Sequence, residues 1–288
     1  MSTEIKKTFV TANGFTFSCR TCGMDNSGEL VLFLHGFPET TIMWVRLMQE
    51  LAAKNYRCVA FDQRGYSDGA RPDGMEHYEV KKLAGDVVAV ADTFPDSQKF
   101  HLVGHDWGSA IGWVTVTLYS DRIITWNSLS NPHAEPYRWG IDNDPSQKEQ
   151  SAYIHYLMGP GDPEKVYLDN DMARLRGAWA GFPQEQFDEY IALFQQPAVL
   201  KAATHYYRAI MTYPMEIDFQ PLTMPVLSIL GMKDVYVSML TSDKSHAYMR
   251  GYYKYIQLPD ADHWLLEKNY DDVAPEIIEH ITKFPAGK

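Results

Sequence analysis

The stretch Val103-Gly104-His105-Asp106-Trp107-Gly108 decides how this chain folds and which chemistry it can perform. It follows a short apolar run and opens a helical pattern, with the glycine spacing of the Gly-x-Ser-x-Gly turn that exposes a nucleophile between a strand and a helix. Aspartate takes the place of the serine. A carboxylate is an anion at neutral pH, and a helix N-terminus favours that charge, so Asp106 is predicted to attack carbon without a base to activate it.

The identity of this nucleophile restricts the substrate. Attack by Asp106 on an ester or amide would give a mixed anhydride, whereas attack on an sp3 carbon with a strained or good leaving group gives an ordinary alkyl ester. Epoxides and alkyl halides are therefore the predicted substrates. The ester must then be hydrolysed, which requires a base for water and an acid that orients the base.

Short, nearly continuous apolar runs predict a sheet around this turn. Such runs suit parallel strands buried on both faces, and helical patterns separate them, so the chain is predicted to be an α/β protein with right-handed crossovers. Asn13-Gly14 predicts a hairpin within residues 9–22. The later predicted strands are 30–34, 58–61, 100–103, 123–129, 226–230 and 255–258, and the helices between and after them are 40–54, 78–93, 107–119 and 271–284.

The alternation of strands and helices stops after Asn131-Pro132 and resumes near Met224-Pro225. Helical patterns fill the interval, so we expect residues 134–219 to form an inserted helical cap and residues 1–133 and 220–288 to form the core domain. The interval is rich in tyrosine, beyond what its own packing requires, which predicts that some tyrosines line a pocket.

The composition excludes several classes of partner. Lys and Arg number 26 against 37 Asp and Glu, and the net charge of -11 argues against nucleic acid and anionic membranes. No apolar stretch is long enough to span a bilayer and no signal peptide opens the chain, so we expect a cytoplasmic protein. The pair Cys19-x-x-Cys22 lacks a second pair of ligands, so neither a metal nor a cofactor is expected. The expected partners are a small molecule and water, and a homodimer is left open.

The base and its orienting acid should follow the nucleophile along the chain. Asp234 follows the predicted strand 226–230, and His263 follows the predicted strand 255–258. Asp262, where a small residue would be expected, is a second candidate for the acid. Asp234 is favoured because the carboxyl end of a strand is the better position.

The segment His35-Gly36-Phe37-Pro38-Glu39 follows the first buried strand. Its glycine turn should point backbone N–H groups toward the carboxyl edge of the sheet, where ligands collect in α/β proteins. The N–H groups of Phe37 and Trp107 are the predicted oxyanion donors. His35, Pro38 and Trp107 are expected to contact the substrate, as is Trp179 from the inserted helical cap.

Together these segments resemble the epoxide hydrolases of the α/β-hydrolase fold, which are related to haloalkane dehalogenases. The resemblance implies a mostly parallel sheet of about eight strands flanked by helices, with an inserted cap. It also implies conversion of epoxides to vicinal diols. The similar segments are His35–Glu39, Asp62–Ser67, Gly104–Gly108, Gly231–Asp234 and Asp262–Trp264.

In the resembling enzymes two cap tyrosines protonate the epoxide oxygen, which leaves as an alkoxide and needs O–H donors. Ser151–Leu157 resembles the segment with the first, which points to Tyr153, with Tyr156 as the fallback and a further substrate contact. His205-Tyr206-Tyr207-Arg208 resembles the segment with the second. It points to Tyr207, with Tyr206 if the register slips by one residue.

Two alternatives stay open. A haloalkane dehalogenase would use the same triad, and Trp107 and Trp179 could bind the halide, but Phe37 stands where many dehalogenases place a halide-binding asparagine or an acidic residue. A ligand-binding member of the fold without catalysis is the other alternative. Such proteins usually lack a triad residue or the nucleophile turn, and this sequence has both.

Overall fold

The computed structural model describes residues 2–159, 161–162 and 164–286. Eight strands form one sheet in the order β1-β2-β4-β3-β5-β6-β7-β8. The first two form an antiparallel hairpin, β2 pairs antiparallel with β4, and every later pairing is parallel. The strands are β1 Lys6–Ala12, β2 Phe15–Cys22, β3 Leu30–Leu34, β4 Arg57–Phe61, β5 Phe100–His105, β6 Ile123–Leu129, β7 Val226–Gly231 and β8 Tyr253–Leu258. The predicted α/β-hydrolase fold class is confirmed.

Helices cover both faces of the sheet. The helices before the insertion are α1 Val45–Ala53, α2 Val80–Ala91 and α3 Trp107–Leu118, and those after it are α10 Met239–Asp243, α11 Leu265–Lys268 and α12 Tyr270–Lys283. Alternate side chains of one strand enter different layers: Leu30, Leu32 and Leu34 pack with the α2 and α3 side, whereas Val31 and Phe33 pack with the α1 and α12 side. Because both faces are buried, β3 reads as a continuous apolar run.

Six helices lie between β6 and β7. They are α4 Ala134–Asn143, α5 Pro145–Gln150, α6 Ala152–Met158, α7 Glu164–Ala178, α8 Gln184–Phe194 and α9 Pro197–Thr212. The backbone of α7 leaves helical geometry at Asp169–Met172. These helices fall inside the interval 134–219, and the division of the chain into a core and a cap at those boundaries stays a prediction.

Several hydrogen bonds connect the inserted helices to the core, and two of them lie at the carboxyl edge of the sheet. The hydroxyl of Tyr206 in α9 donates to the carbonyl oxygen of Arg64 at 2.6 Å, and the indole N–H of Trp179, after α7, donates to the carbonyl oxygen of Pro38 at 3.0 Å. The inserted helices therefore lie against the carboxyl edge of the sheet. Within the described residues, no helix combines the length and the apolar character that crossing a membrane requires.

Candidate active site

Asp106 lies in the tight turn between β5 and α3. Its backbone has φ 50° and ψ -117°, a conformation that costs free energy for any residue with a Cβ and often marks a functional site. Glycines make the turn possible: a Cβ at Gly108 would lie 2.1 Å from the carbonyl oxygen of Leu34, and one at Gly36 would lie 2.5 Å from the Cβ of Asp106. The turn thus presents the carboxylate at the edge of the sheet.

Two groups hold the carboxylate of Asp106. Oδ1 accepts a hydrogen bond from the backbone N–H of Phe37 at 2.8 Å, and Oδ2 lies 3.5 Å from Nε2 of His263. Burial would raise the pKa of Asp106, but the neighbouring His263, the charge of His105 and the Phe37 N–H together hold it below its usual value. Asp106 is therefore ionised at neutral pH.

His263 is held by Asp234. Its Nδ1 lies 2.8 Å from Oδ2 of Asp234, whose Oδ1 accepts from the backbone N–H groups of Tyr236 at 2.7 Å and Val237 at 3.2 Å. Burial would lower the pKa of His263, but the charges of Asp234 and Asp106 raise it well above its usual value. In the free protein His263 is consequently an imidazolium between two carboxylates.

Asp262, the other candidate for the orienting acid, points elsewhere. Its Oδ1 accepts from the backbone N–H of Trp264 at 2.9 Å, and its Oδ2 lies 2.8 Å from Nζ of Lys268. The geometry therefore favours Asp234 in that role.

Two cavities meet at Asp106. The larger has a volume of about 490 Å³ and is lined mainly by apolar side chains of α3, α4 and α9, together with Trp107. The smaller, of about 270 Å³, is lined by Phe37, Pro38, His263 and Trp264 from the sheet edge and by residues of α7. The residues that line both are Asp106, Tyr153, Tyr207 and Tyr236.

Tyr153 from α6 and Tyr207 from α9 face Asp106 across the cavities. Their ring centroids are 6.0 Å apart, and the ring of Tyr207 lies 4.9 Å from Trp107 and 6.1 Å from Phe37. Burial is the main cause that raises the pKa of both phenols well above the usual value. Both therefore stay protonated and are available as O–H donors.

The sequence profile of the alpha/beta hydrolase fold matches residues 29–270. The chain belongs to this family. The AB hydrolase superfamily protein YfhM of Bacillus subtilis is 28% identical over 284 residues, which cover 96% of this chain and 98% of that protein. Epoxide hydrolase 4 of Mus musculus is 28% identical over 255 residues, 85% of this chain and 70% of that protein.

Among solved structures, an epoxide hydrolase from Vigna radiata has a TM-score of 0.81 at 25% identity and covers 98% of both chains. The epoxide hydrolase A of Mycobacterium thermoresistibile has a TM-score of 0.84 at 23% identity, with 98% of this chain and 99% of that chain covered. The similarity to α/β-hydrolase-fold epoxide hydrolases, predicted from the motifs, is confirmed.

A buried charge pair connects three segments of the site in this α/β hydrolase. Oε2 of Glu39 accepts from the Gly36 N–H at 3.1 Å and lies 2.8 Å from Nδ1 of His105, whose Nε2 lies 2.9 Å from the carbonyl oxygen of His263. Burial opposes the charge of His105, but Glu39 raises its pKa to about 9, so both ring nitrogens donate. The turn 35–39, strand β5 and the loop that carries His263 are thus fixed to one another.

Tyr236 is a site residue that the sequence analysis did not identify. It lines both cavities, and its ring lies 4.8 Å from that of His263 and 5.5 Å from that of Tyr153. Its position two residues after Asp234 was the available signal. Glu39 and His105 lie in two of the segments that carry the resemblance, but the sequence analysis assigned no role to either residue.

Three of the residues expected to contact the substrate, His35, Tyr156 and Trp179, line neither of the two cavities. His35 is fully buried, and its Nε2 accepts from the Gln63 N–H at 3.1 Å. Tyr156 is 50% exposed on the outer side of α6. Trp179 is buried, with its indole N–H bound to Pro38. Pro38 and Trp107, by contrast, do line the cavities.

The structure also separates the neighbouring tyrosines of α9. Tyr206 donates its hydroxyl to Arg64, whereas Tyr207 lines both cavities. Tyr207, rather than Tyr206, therefore lies where the sequence analysis expects the second tyrosine. No cluster of three or more His, Cys, Asp or Glu side chains with metal-binding geometry occurs among the described residues.

Proposed function

We propose that this α/β hydrolase converts epoxides to vicinal diols through a covalent ester on Asp106. One observation carries the proposal: two protonated tyrosines, Tyr153 and Tyr207, lie across a cavity from an ionised aspartate. A carboxylate nucleophile and O–H donors are what opening an epoxide ring requires. The relatives and structural neighbours named epoxide hydrolases support the same reaction.

In the first step, Oδ2 of Asp106 attacks one epoxide carbon and the bond from that carbon to the ring oxygen breaks. Oδ1 is the oxygen bound by the Phe37 N–H, so it becomes the carbonyl oxygen of the ester. The departing oxygen takes a proton from Tyr153 or Tyr207, because an alkoxide is far more basic than a phenolate. A hydroxyalkyl ester and a tyrosinate result.

The second step depends on the charge that ester formation removes. Asp106 is one of the two carboxylates that raise the pKa of His263, so its esterification lowers that pKa. His263 then gives its proton to the tyrosinate, through water, and becomes a neutral base held by Asp234. The tyrosine is restored in the same event.

Hydrolysis completes the cycle. Neutral His263 takes a proton from water, and the hydroxide attacks the ester carbonyl carbon while the N–H groups of Phe37 and Trp107 stabilise the oxyanion. The bond between that carbon and the product oxygen breaks, and the product oxygen takes the remaining proton of the attacking water. The diol leaves, and the carboxylate of Asp106 and the imidazolium of His263 are regenerated. The sum is one epoxide and one water converted to one diol.

Dehalogenation, the alternative with the same triad, has less support. A halide needs N–H donors, and of the two candidate tryptophans only Trp107 lines a cavity, because the indole of Trp179 donates its N–H to the backbone of Pro38. Phe37 offers only a backbone N–H, which Asp106 occupies. The O–H donors that face Asp106 suit an alkoxide leaving group better than a halide.

The test is to trap the covalent ester on Asp106. The variant His263→Gln should form the ester but hydrolyse it slowly, so incubation with an epoxide should add the substrate mass to the peptide that contains Asp106. The matched control is His155→Gln, since His155 is exposed on α6 and lines neither cavity. It should turn over without an adduct.

Paired assays of diol formation and halide release on the unaltered protein identify the leaving group. Halide release without diol formation would establish the dehalogenase. Binding of epoxides with neither turnover nor adduct would establish a ligand-binding protein and overturn the proposal.

A further inference from the structure

One cationic side chain of the smaller cavity has no part in the proposed reaction. Arg174, in the second half of α7, lines this cavity beside Tyr167, Leu175 and Ala178. The residue is exposed, which places it at the mouth of the cavity rather than at its base. A charge in that position can meet a substituent of the substrate far from the reacting carbons.

Arg174 differs from the other arginines of the inserted helices. Arg138 pairs with Glu135 at 2.9 Å, Arg176 with Asp171 at 3.3 Å, and Arg208 donates to the carbonyl oxygen of Gly161 at 2.9 Å. Arg174 makes no ion pair or hydrogen bond with any described residue. Within the described part of the chain, its guanidinium donors are therefore available to a ligand.

The charge of Arg174 acts inside the cavity. Burial raises the pKa of Tyr167, and the neighbouring Arg174 opposes that rise because a cation favours the phenolate. The ring of Tyr167 packs edge-on against Phe37 at 5.4 Å, so Arg174 lies close to the oxyanion turn. Among the described lining residues, the other charged groups of this cavity are Asp106 and His263, which pair with each other.

The two cavities therefore offer different surroundings on either side of Asp106. The larger is lined mainly by apolar side chains, such as Val80, Val114 and Ile210. Its one arginine, Arg138, is already paired with Glu135. The smaller combines aromatic walls with one unpaired cation.

We propose that the smaller cavity takes a carboxylate-bearing substituent of the epoxide, paired with Arg174, while the larger takes an apolar chain. The preferred substrate is then an internal epoxide, acidic at one end and apolar at the other. A guanidinium matches a carboxylate with two parallel hydrogen bonds. One arginine also balances one negative charge, which favours a carboxylate over a doubly charged phosphate. This inference rests on the proposed epoxide hydrolysis.

Arg174 acts on binding rather than on chemistry. It would contact the non-reacting end of the substrate equally in the ground state and the transition state, so its loss should raise KM and leave kcat unchanged. Because the pair is held by hydrogen bonds between two charged groups, its loss should change KM by about tenfold, which corresponds to about 1.4 kcal/mol.

The experiment compares two probes of the same shape. One is a cis-disubstituted epoxide with a heptyl chain on one carbon and a carboxyethyl chain on the other, and the second is its carboxamide. The variants are Arg174→Gln and Arg174→Lys, with Lys165→Gln as the matched control. Lys165 is an exposed cation of the same helix that lines neither cavity.

The expected result is a KM about tenfold lower for the acid than for the amide in the unaltered protein. Arg174→Gln should abolish this difference, Arg174→Lys should restore part of it, and Lys165→Gln should keep it. Equal KM values for acid and amide in the unaltered protein, or an unchanged difference in Arg174→Gln, would overturn the inference about Arg174. Turnover of the amide would still support epoxide hydrolysis in that case. Absence of turnover and of an adduct with either probe would overturn both proposals.

Discussion

The sheet edge and the inserted helices hold their parts of the site in different ways. At the sheet edge, Asp106 and His263 are fixed by hydrogen bonds to backbone groups and buried charges. On the inserted helices, Tyr153 and Tyr207 are placed by aromatic rings packed against one another. The difference teaches that, in the proposed reaction, the edge would determine which bond is formed, whereas the inserted helices would determine which leaving group and which substrate fit.

The largest effect should come from removing the nucleophile at the sheet edge. Asp106→Asn keeps the shape of the side chain but removes the charge that attacks carbon, so kcat should fall by at least about 10⁵-fold, as when a nucleophile that acts with its triad is lost. Steady-state diol formation measures the loss. A residual rate near that of the unaltered protein would show that the ester on Asp106 is not part of the reaction.

The next effect distinguishes the two acidic residues near His263. Asp234→Asn should lower kcat by about 10⁴-fold, because the amide neither selects the ring tautomer nor stabilises the imidazolium. Asp262→Asn is the matched control and should keep kcat, since Asp262 contacts Trp264 and Lys268 instead. Kinetics on both variants test the assignment, and the reverse pattern would transfer the role to Asp262.

The neighbouring tyrosines of α9 test the role of the inserted helices. Tyr207→Phe removes a proton donor and should slow ester formation by about 10²-fold, while the stability of the protein changes little. Tyr206→Phe should instead lower the free energy of unfolding by about 1 kcal/mol, through loss of the bond to Arg64, and keep the rate. Single-turnover kinetics and denaturant unfolding separate the two, and equal rates in both variants would refute the donor role.

The smallest effect concerns pH and separates the two chemical steps. The lowered pKa of Asp106 keeps the nucleophile ionised in mild acid, so ester formation should hardly change there. Hydrolysis needs neutral His263, so below the pKa that His263 has in the ester its rate should fall about tenfold per pH unit. Rapid quench with mass spectrometry should show ester accumulating as the pH is lowered. Accumulation at high pH instead would contradict His263 as the base.

The sheet and the order of the triad could be predicted from the sequence for a local reason. Strands buried on both faces are continuous apolar runs, and functional residues follow them directly. The nucleophile turn is likewise a local pattern, because the close approach at Gly108 leaves no room for a Cβ. The predicted strands accordingly lie close to the strands of the structure. Asp106, Asp234 and His263 follow strands β5, β7 and β8, as the sequence predicts.

The missed assignments depend on contacts between distant segments. Tyr153 and Tyr156 are three residues apart on one helix, about 60° apart around its axis, so only packing on the core decides which one faces the cavity. Trp179 is withdrawn from the cavity by a carbonyl 141 residues away in the chain. His35 turns into the core, and no pattern in the sequence encodes that direction. Tyr236 lies two residues after Asp234, but its contact with Tyr153 depends on how α6 packs on the core.

The two bonds from Trp179 and Tyr206 to the core end on backbone carbonyl oxygens, those of Pro38 and Arg64. Every residue type carries such an oxygen, so the acceptor survives any substitution at these positions that keeps the backbone in place. The donors, by contrast, are the side chains of Trp179 and Tyr206, so they are lost when either residue is replaced by one without a donor. Mutational tolerance at these two contacts is therefore one-sided: substitutions of Pro38 and Arg64 that preserve the backbone should keep the two hydrogen bonds, whereas substitutions of Trp179 and Tyr206 should remove them.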